Sequence, residues 1–405
     1  MMTRIAAVLC TFICLTGAAN AQTDSTIFRK METVVSSAKD QFAPDKRTKI
    51  VAITAANAIN NTYTIESSVP EATAYIRSQI ANIPAHIQIN TLPDSTVGDR
   101  THGVVHLSVA NFRTKPGNAS EMATQALLGT EVDLLQKVDG EYRARTPEGY
   151  ISYVPASAVS AKTKSELEAW RKLPKLIYTT EFGKSLSKPN PESMRVSDLV
   201  YGNILALVGD EGKYYKVSYP DKRIAYIPKD EALTFDKWLT TRNLTAENVI
   251  ASAKTMMGLP YLWGGTSVKG VDCSGFTKTA YYMNGYIIPR DASQQVLAGQ
   301  PVDILDKNGH FEPTKALKNL KPADLLFFAS GKANSPNARV THVALYLGNG
   351  EFIHSAGTVR INSMLKDAAN YDDFQTRTVV AAKRYIGVQD QQLQKIQENP
   401  YYKQK

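Results

Sequence analysis

Gly270-Val-Asp-Cys-Ser-Gly-Phe276 decides how the chain is read. Beyond Cys273, the residues Phe276, Thr279, Ala280, Tyr282 and Met283 recur with the period of a helix that buries one face. Cys273 therefore falls at or near a helix N-terminus. Free amides and the positive end of the helix dipole stabilise a thiolate there, lowering a pKa of about 8.5 in free cysteine. Asp272 and Ser274 flank the sulfur, and Gly275 leaves room for a ligand to approach the backbone. Upstream, Thr245 caps a helix carrying Val249, Ile250, Ala253 and Met256, which stops at Gly258-Leu-Pro260. Tyr261-Leu-Trp-Gly-Gly265 then leads to the cysteine.

Downstream, Pro322-Ala-Asp-Leu-Leu-Phe-Phe328 reads as a turn into a strand. Val340-Thr-His-Val-Ala-Leu-Tyr-Leu347 alternates as a strand does and carries His342. A Gly348-Asn-Gly350 hairpin turn leads into Glu351-Phe-Ile-His-Ser-Ala356, which carries His354. Two histidines on paired strands can share one face. A thiol nucleophile needs a base, and the base needs a group that fixes its tautomer. Cys273, His342 and His354 supply nucleophile, base and orienter. Taken singly, each is also compatible with ordinary packing. Cys273, His342, His354 and Asp272 are nominal zinc ligands, but no CxxC or HxxxH pair accompanies them. No metal or cofactor is expected.

The motifs Tyr261-Leu-Trp-Gly-Gly265, Asp272-Cys-Ser-Gly-Phe276, Thr341-His342-Val-Ala-Leu-Tyr-Leu and Phe352-Ile-His354 resemble, in order, those of the NlpC/P60 cysteine peptidases. The resemblance spans residues 240–388 and implies a papain-like α+β core that cuts bacterial cell-wall peptides after D-glutamate. It implies Cys273 as nucleophile, His342 as base and then acid, and His354 as the third, orienting residue. Tyr261 resembles a family tyrosine whose hydroxyl helps hold the oxyanion beside the Cys273 amide. Trp263 is expected to pack.

Residues 103–233 repeat. Gly140-Glu-Tyr-Arg-Ala-Arg-Thr-Pro-Glu-Gly-Tyr-Ile-Ser-Tyr153-Val-Pro155 is echoed by Gly212-Lys-Tyr-Tyr-Lys-Val-Ser-Tyr-Pro-Asp-Lys-Arg-Ile-Ala-Tyr226-Ile-Pro228. Each copy has the size and turn spacing of one small barrel. Ser108-Val-Ala-Asn-Phe-Arg-Thr-Lys-Pro116 resembles the opening of bacterial SH3-like (SH3b) domains. The second copy keeps that signature only loosely, over Thr179–Pro189. Two SH3-like β-barrels are therefore expected, at 103–161 and 173–235, with a helix linking them over Lys162–Leu173.

Two such domains before an NlpC/P60 domain resemble a subgroup that hydrolyses γ-D-glutamyl-L-diamino-acid bonds of free wall peptides. In that subgroup, acidic and hydroxyl groups hold the free amine of L-alanine. Asp272, Ser274, Asp291 and Ser293 match the peptidase half of such a pocket, with Glu121 and Tyr150 as candidates from the first SH3b domain. Buried carboxylates bind an ammonium and reject an acylated nitrogen, because an unpaired buried charge is costly. The resemblance leaves diaminopimelate or lysine open at the diamino-acid position. A wall-binding module built on the SH3b domains is the alternative class, and an amidase or acyltransferase of similar fold the alternative enzyme.

The remaining chain reads more simply. Residues 25–100 alternate helix and strand signals (Phe28 to Ala38, Lys49 to Ala55, Tyr63 to Ser68, Pro70 to Ile80, His86 to Leu92), a small α+β domain. Arg4, the apolar run Ile5 to Leu15 and Ala19-Asn20-Ala21 read as a signal peptide, 1–21, for a periplasmic or extracellular product. Residues 389–405 read as a polar tail. With 405 residues, 43% hydrophobic and 21% charged, the chain is a multidomain globular protein. Its net charge of +9 is spread without a basic block, which argues against nucleic-acid binding. Cutting after Ala21 leaves Cys273 as the sole cysteine, so no internal disulfide supports the fold. A monomer acting on peptidoglycan peptides is expected, with no transmembrane segment in the mature chain.

Overall fold

The computed structural model describes residues 16–57, 59–330, 338–372 and 377–403. Two compact units meet between Ser95 and Thr96. That boundary precedes the expected one near 100 because Thr96 and Val97 already serve the second unit. Thr96 Oγ1 accepts the Lys137 amide at 2.7 Å, and Val97 joins the core of the next sheet.

The first unit contains helix α1 (Thr16–Phe42), strands β1 (Val51–Asn57) and β2 (Thr62–Ser67), helix α2 (Pro70–Ile80) and strand β3 (His86–Thr91). Strands β1 and β2 are antiparallel, and α2 carries the chain across so that β3 runs parallel to β2. Pro70 opens α2, where its fixed φ suits the first turn and its missing N–H costs nothing. Met31, Val35 and Ala38 of α1 bury against Tyr63, Ile65 and Ile76. The basic start and apolar run expected as a signal peptide lie outside the described residues, and α1 runs through Ala21.

In the second unit, β4 (His102–Val105), β5 (Val109–Arg113), β6 (Met122–Leu127), β7 (Glu131–Val138), β8 (Glu141–Arg145), β9 (Ile151–Pro155) and β10 (Val159–Lys162) form one sheet. Helix α3 (Lys164–Lys172) follows, opened by a capping box between Thr163 and Glu166. Then β11 (Lys175–Tyr178), β12 (Phe182–Leu186), β13 (Arg195–Val200), β14 (Ile204–Glu211), β15 (Tyr214–Ser218), β16 (Ile224–Pro228) and β17 (Ala232–Thr234) form another. The first sheet runs β10-β4-β7-β8-β9-β5-β6, and the second, from its other end, runs β17-β11-β14-β15-β16-β12-β13. Counted within each copy, both orders are 7-1-4-5-6-2-3. The echoed sequences fall on matching strands, β8–β9 and β15–β16. Among the described residues neither sheet closes, which corrects the expectation of barrels. Strands β5 and β9 pair only at Arg113–Tyr153, and β12 and β16 only at Leu186–Tyr226. Each sheet folds over its own apolar core at that thin junction without sealing into a ring.

Helices α4 (Phe235–Thr240) and α5 (Ala246–Thr255) lead into the last region, with Thr245 capping α5 through the Asn248 amide. A two-stranded turn, β18 (Thr266–Ser267) and β19 (Gly270–Val271), precedes α6 (Cys273–Tyr282). After β20 (Tyr286–Ile287), α7 (Ala292–Gln295), β21 (Gln300–Pro301) and α8 (Pro313–Asn319) come β22 (Leu325–Ser330), β23 (Val340–Gly348), β24 (Glu351–Ala356), β25 (Thr358–Ser363) and β26 (Arg377–Arg384). They form an antiparallel sheet ordered β21-β26-β22-β23-β24-β25. One face, with Phe327, Val343 and Leu345, buries Phe276 and Ala280 of α6. The other, with Leu326, Phe328, Ala344 and Tyr346, packs against Ala316 of α8. The alternation of β22 and β23 thus serves two cores and holds α6 against the sheet.

The segment expected as a polar tail is packed. Strand β27 (Gln394–Lys395) pairs with β20, and Ile396 is buried with Ile177, Trp238 and Ile287. The Tyr401 hydroxyl donates to Asp133 at 2.6 Å, and Asn399 donates to the Pro147 carbonyl at 3.3 Å. Among the described residues no helix is long and apolar enough to cross a membrane.

Candidate active site

Cys273 is the first residue of α6, and Asp272 is its N-cap, accepting the Gly275 amide at 2.6 Å. The sulfur lies against β23 on either side of His342: the thiol donates to the Thr341 carbonyl at 4.0 Å and faces the Val343 amide. Burial pushes the Cys273 thiol up to about 12, and the charge of Asp272 adds to the rise. The Val343 amide, Arg290 and the Ser274 amide pull the other way. The helix start expected from the sequence is present, but desolvation outweighs it, so the resting group is a neutral thiol rather than a depressed one. Gly275 also differs from expectation. A Cβ there would collide with the Gly265 carbonyl, so the glycine admits the neighbouring loop and not a ligand.

His342 and His354 share a face of the sheet between Phe328 and Phe352, with ring centroids 5.0 Å apart. His342 Nε2 is 2.9 Å from His354 Nδ1, and His354 Nε2 is 3.0 Å from Asn362 Oδ1. Burial is the main cause that holds both imidazoles neutral. It takes His342 well below 6.5, with the His354 ring contributing, and lowers His354 to about 4, with Arg377 contributing.

The substrate-side candidates meet around a residue to which the sequence reading gave no role, Arg290, which is 1% exposed. Its Nη2 donates to Asp272 Oδ2 at 2.6 Å, Nη1 donates to Asp272 Oδ1 and Ser274 Oγ, and Nε donates to Thr124 of β6 at 2.9 Å. With the Gly264 amide also on Oδ2, Asp272 is a saturated cap and anchor. Asp291 caps α7 and accepts the Tyr150 hydroxyl at 3.2 Å, and Ser293 sits half-buried two residues on. Tyr150 lies beside β9, so this bond joins the first seven-stranded sheet to the site.

The same junction continues along β6. Gln125 accepts the Thr266 amide at 3.0 Å, and a Cβ at Gly264 (φ +77°) would stand 2.6 Å from the Met122 carbonyl. Glu121 is not gathered with the others. It is exposed on a groove of about 560 Å³ that Arg113, Met122, Trp263 and Lys269 also line. Trp263 is 60% exposed there, against the expectation that it packs. Tyr261 is half-buried beside Cys273. Burial, then the charges of Cys273 and Asp272, raise its hydroxyl pKa, which keeps it a donor.

The profile of the NlpC/P60 family matches residues 258–379, and that of the bacterial dipeptidyl-peptidase Sh3 domain matches residues 112–159. The chain is 30% identical over 260 residues to a γ-D-glutamyl-L-lysine dipeptidyl-peptidase of Bacillus cereus, covering 59% of this chain and 68% of that protein. It is 32% identical over 246 residues to the protein of the same name from Bacillus subtilis, covering 58% and 72%. A crystal structure of an NlpC/P60 family protein from Bacillus cereus aligns with a TM-score of 0.57 at 24% identity, over 70% of this chain and 99% of that one.

Proposed function

The chain belongs to the NlpC/P60 family of cysteine peptidases, and from that premise we propose an exported endopeptidase for the γ-D-glutamyl-L-diamino-acid bond of peptidoglycan-derived peptides, selective for a free N-terminal L-alanine. The observation that carries this reading is the start of α6 set against β23, where Cys273 abuts the backbone flanking a buried and hydrogen-bonded His342. The names of the two Bacillus relatives support the bond and favour lysine as the diamino acid. Arg4, Ile5 to Leu15 and Ala19-Asn20-Ala21 support export.

In this reading the substrate carbonyl enters beside Cys273. As the sulfur attacks the carbonyl carbon, its proton passes to His342, so the neutral resting pair becomes charged only along the reaction path. The oxyanion is held by the Cys273 amide, unpaired by the helix at its first turn, and by the Tyr261 hydroxyl. Collapse expels the diamino-acid amine, which takes its proton from His342 and leaves a γ-D-glutamyl thioester on Cys273. Water, deprotonated by the same histidine, then releases the dipeptide. The ammonium of L-alanine is assigned to Asp291, where Tyr150 fixes the carboxylate. Asp272 is engaged by Arg290 and contributes rigidity instead. Two copies of an SH3-like domain precede the peptidase in this reading, which the shared strand order supports.

Mass spectrometry of L-Ala-γ-D-Glu-L-Lys and L-Ala-γ-D-Glu-diaminopimelate peptides, free and N-acylated, tests the proposal beside a Cys273→Ala control. Cleavage of free-amine peptides alone, lost in the control, is expected. Equal cleavage of acylated peptides would remove the amine gate, and no cleavage of either would remove the substrate assignment.

A further inference from the structure

His354 is itself held, and the geometry of its partner has a chemical consequence. Asn362 lies on β25, the strand paired with β24. Its amide orientation is fixed from two sides: Nδ2 donates to the Asn370 carbonyl at 3.1 Å, and Oδ1 accepts from Arg360 Nε at 3.1 Å. The oxygen that faces His354 Nε2 at 3.0 Å therefore only accepts, so Nε2 must carry the hydrogen. A neutral His354 then has a bare Nδ1. That nitrogen accepts from His342 Nε2 at 2.9 Å, so His342 Nε2 carries the other hydrogen. His342 is left with Nδ1 unprotonated, the form able to receive a proton from a thiol.

We propose that Asn362 is a positioning residue that sets the tautomers of both histidines and so keeps Nδ1 of His342 ready as the base. The inference rests on the reading of Cys273 and His342 as nucleophile and base. Without the Asn362 acceptor, the chain of hydrogen bonds can run in reverse. His354 Nδ1–H then donates to His342 Nε2, and the displaced hydrogen sits on Nδ1, where it blocks the base. The charged groups facing the imidazole pair are Arg360 on β25, and Arg377 on β26 in an ion pair with Asp372 at 2.5 Å. The Cys273 thiol, at the start of α6, meets the β23 backbone on either side of His342. None of these supplies an alternative acceptor to His354 Nε2 among the described residues.

Two substitutions in the full chain test this, with kinetics on the cleaved peptide and ¹⁵N spectroscopy of the imidazoles. Asn362→Leu removes the acceptor. Turnover should fall about ten- to a hundredfold with KM within about twofold, and the His342 Nδ1 signal should move from an unprotonated to a tautomer-averaged position. Asn362→Asp keeps an acceptor and adds a negative charge. It should retain turnover within about fivefold at pH 8 while the acid limb of the profile moves to higher pH, because a carboxylate favours the protonated pair. Native turnover in Asn362→Leu, or equal loss in both variants without movement of the acid limb, overturns the inference. A His342→Ala control separates the levels: if it keeps turnover, the base assignment itself has failed. If it is inactive while Asn362→Leu is not, only the role of Asn362 has failed.

Discussion

Arg290 Nη2 lies 2.6 Å from Asp272 Oδ2, and both side chains are almost wholly withdrawn from solvent. The pair ties the cap of the cysteine helix to Thr124 on a strand of the neighbouring sheet, so one guanidinium spans the junction. Removing one partner of such a pair leaves the other charge buried and uncompensated. Arg290→Met is expected to destabilise the protein by about 3–5 kcal/mol. Urea unfolding measures this, and a loss within 1 kcal/mol of native would mean that Asp272 is neutralised by its amide donors alone.

Tyr150 reaches Asp291 from the first repeated sheet. Tyr150→Phe deletes that hydroxyl and little else, leaving the carboxylate free to turn away. The kcat/KM for the free-amine peptide is expected to fall about tenfold, with the melting temperature unchanged. A matching drop in the melting temperature would point to general disorder of the junction.

Tyr261→Phe removes the proposed side-chain donor to the oxyanion. One such donor is worth about 2.7–4 kcal/mol of barrier, so kcat should fall about 10²–10³-fold. Because the ring stays, the melting temperature should not move. Competitive binding of an uncleavable peptide, measured in parallel, should be unchanged.

The pH dependence of stability follows from His354. It is fully buried, and its pKa is lowered from 6.5 to about 4, chiefly by desolvation. Above pH 6.5 neither the folded nor the unfolded state holds the proton, and nothing is lost. Between pH 6.5 and 4 the unfolded chain takes up a proton that the folded protein refuses. Stability therefore declines as the medium is acidified, by about 3 kcal/mol over that window. In urea titrations at pH 7 and 4.5, native protein should lose about 2–3 kcal/mol more than His354→Gln. Identical slopes would show that other groups carry the acid sensitivity.

What was legible in the sequence were features whose physics is local. The period after Cys273, the alternation around His342 and the Gly-Asn-Gly turn each need only a few neighbouring residues, and each element lies where its pattern indicates. The repeat was readable for the same reason, since the Tyr-x-Pro ends of β9 and β16 recur in register, whereas the open strand order they share was not. Arg290 and Asn362 were not legible. Arg290 sits in a loop beside Asp291, and its partners at 272, 274 and 124 are gathered only by the tertiary fold. Asn362 matters through an amide orientation that Arg360 and Asn370 impose. Trp263 and the thiol of Cys273 depended on burial, which composition does not reveal. The one is exposed on a groove, and the other is buried at the start of α6 against β23.

The packed C-terminal segment acts as a strap across a seam. Strand β27 pairs with β20, while Asn399 and Tyr401 reach back to Pro147 and Asp133 of the first repeated sheet, 252 and 268 positions away. Tyr150, which carries the bond to Asp291, lies three residues from Pro147. The strap therefore steadies from behind the same edge of the sheet that reaches the candidate site, and loosening it would slacken that edge without touching Cys273 or the two histidines.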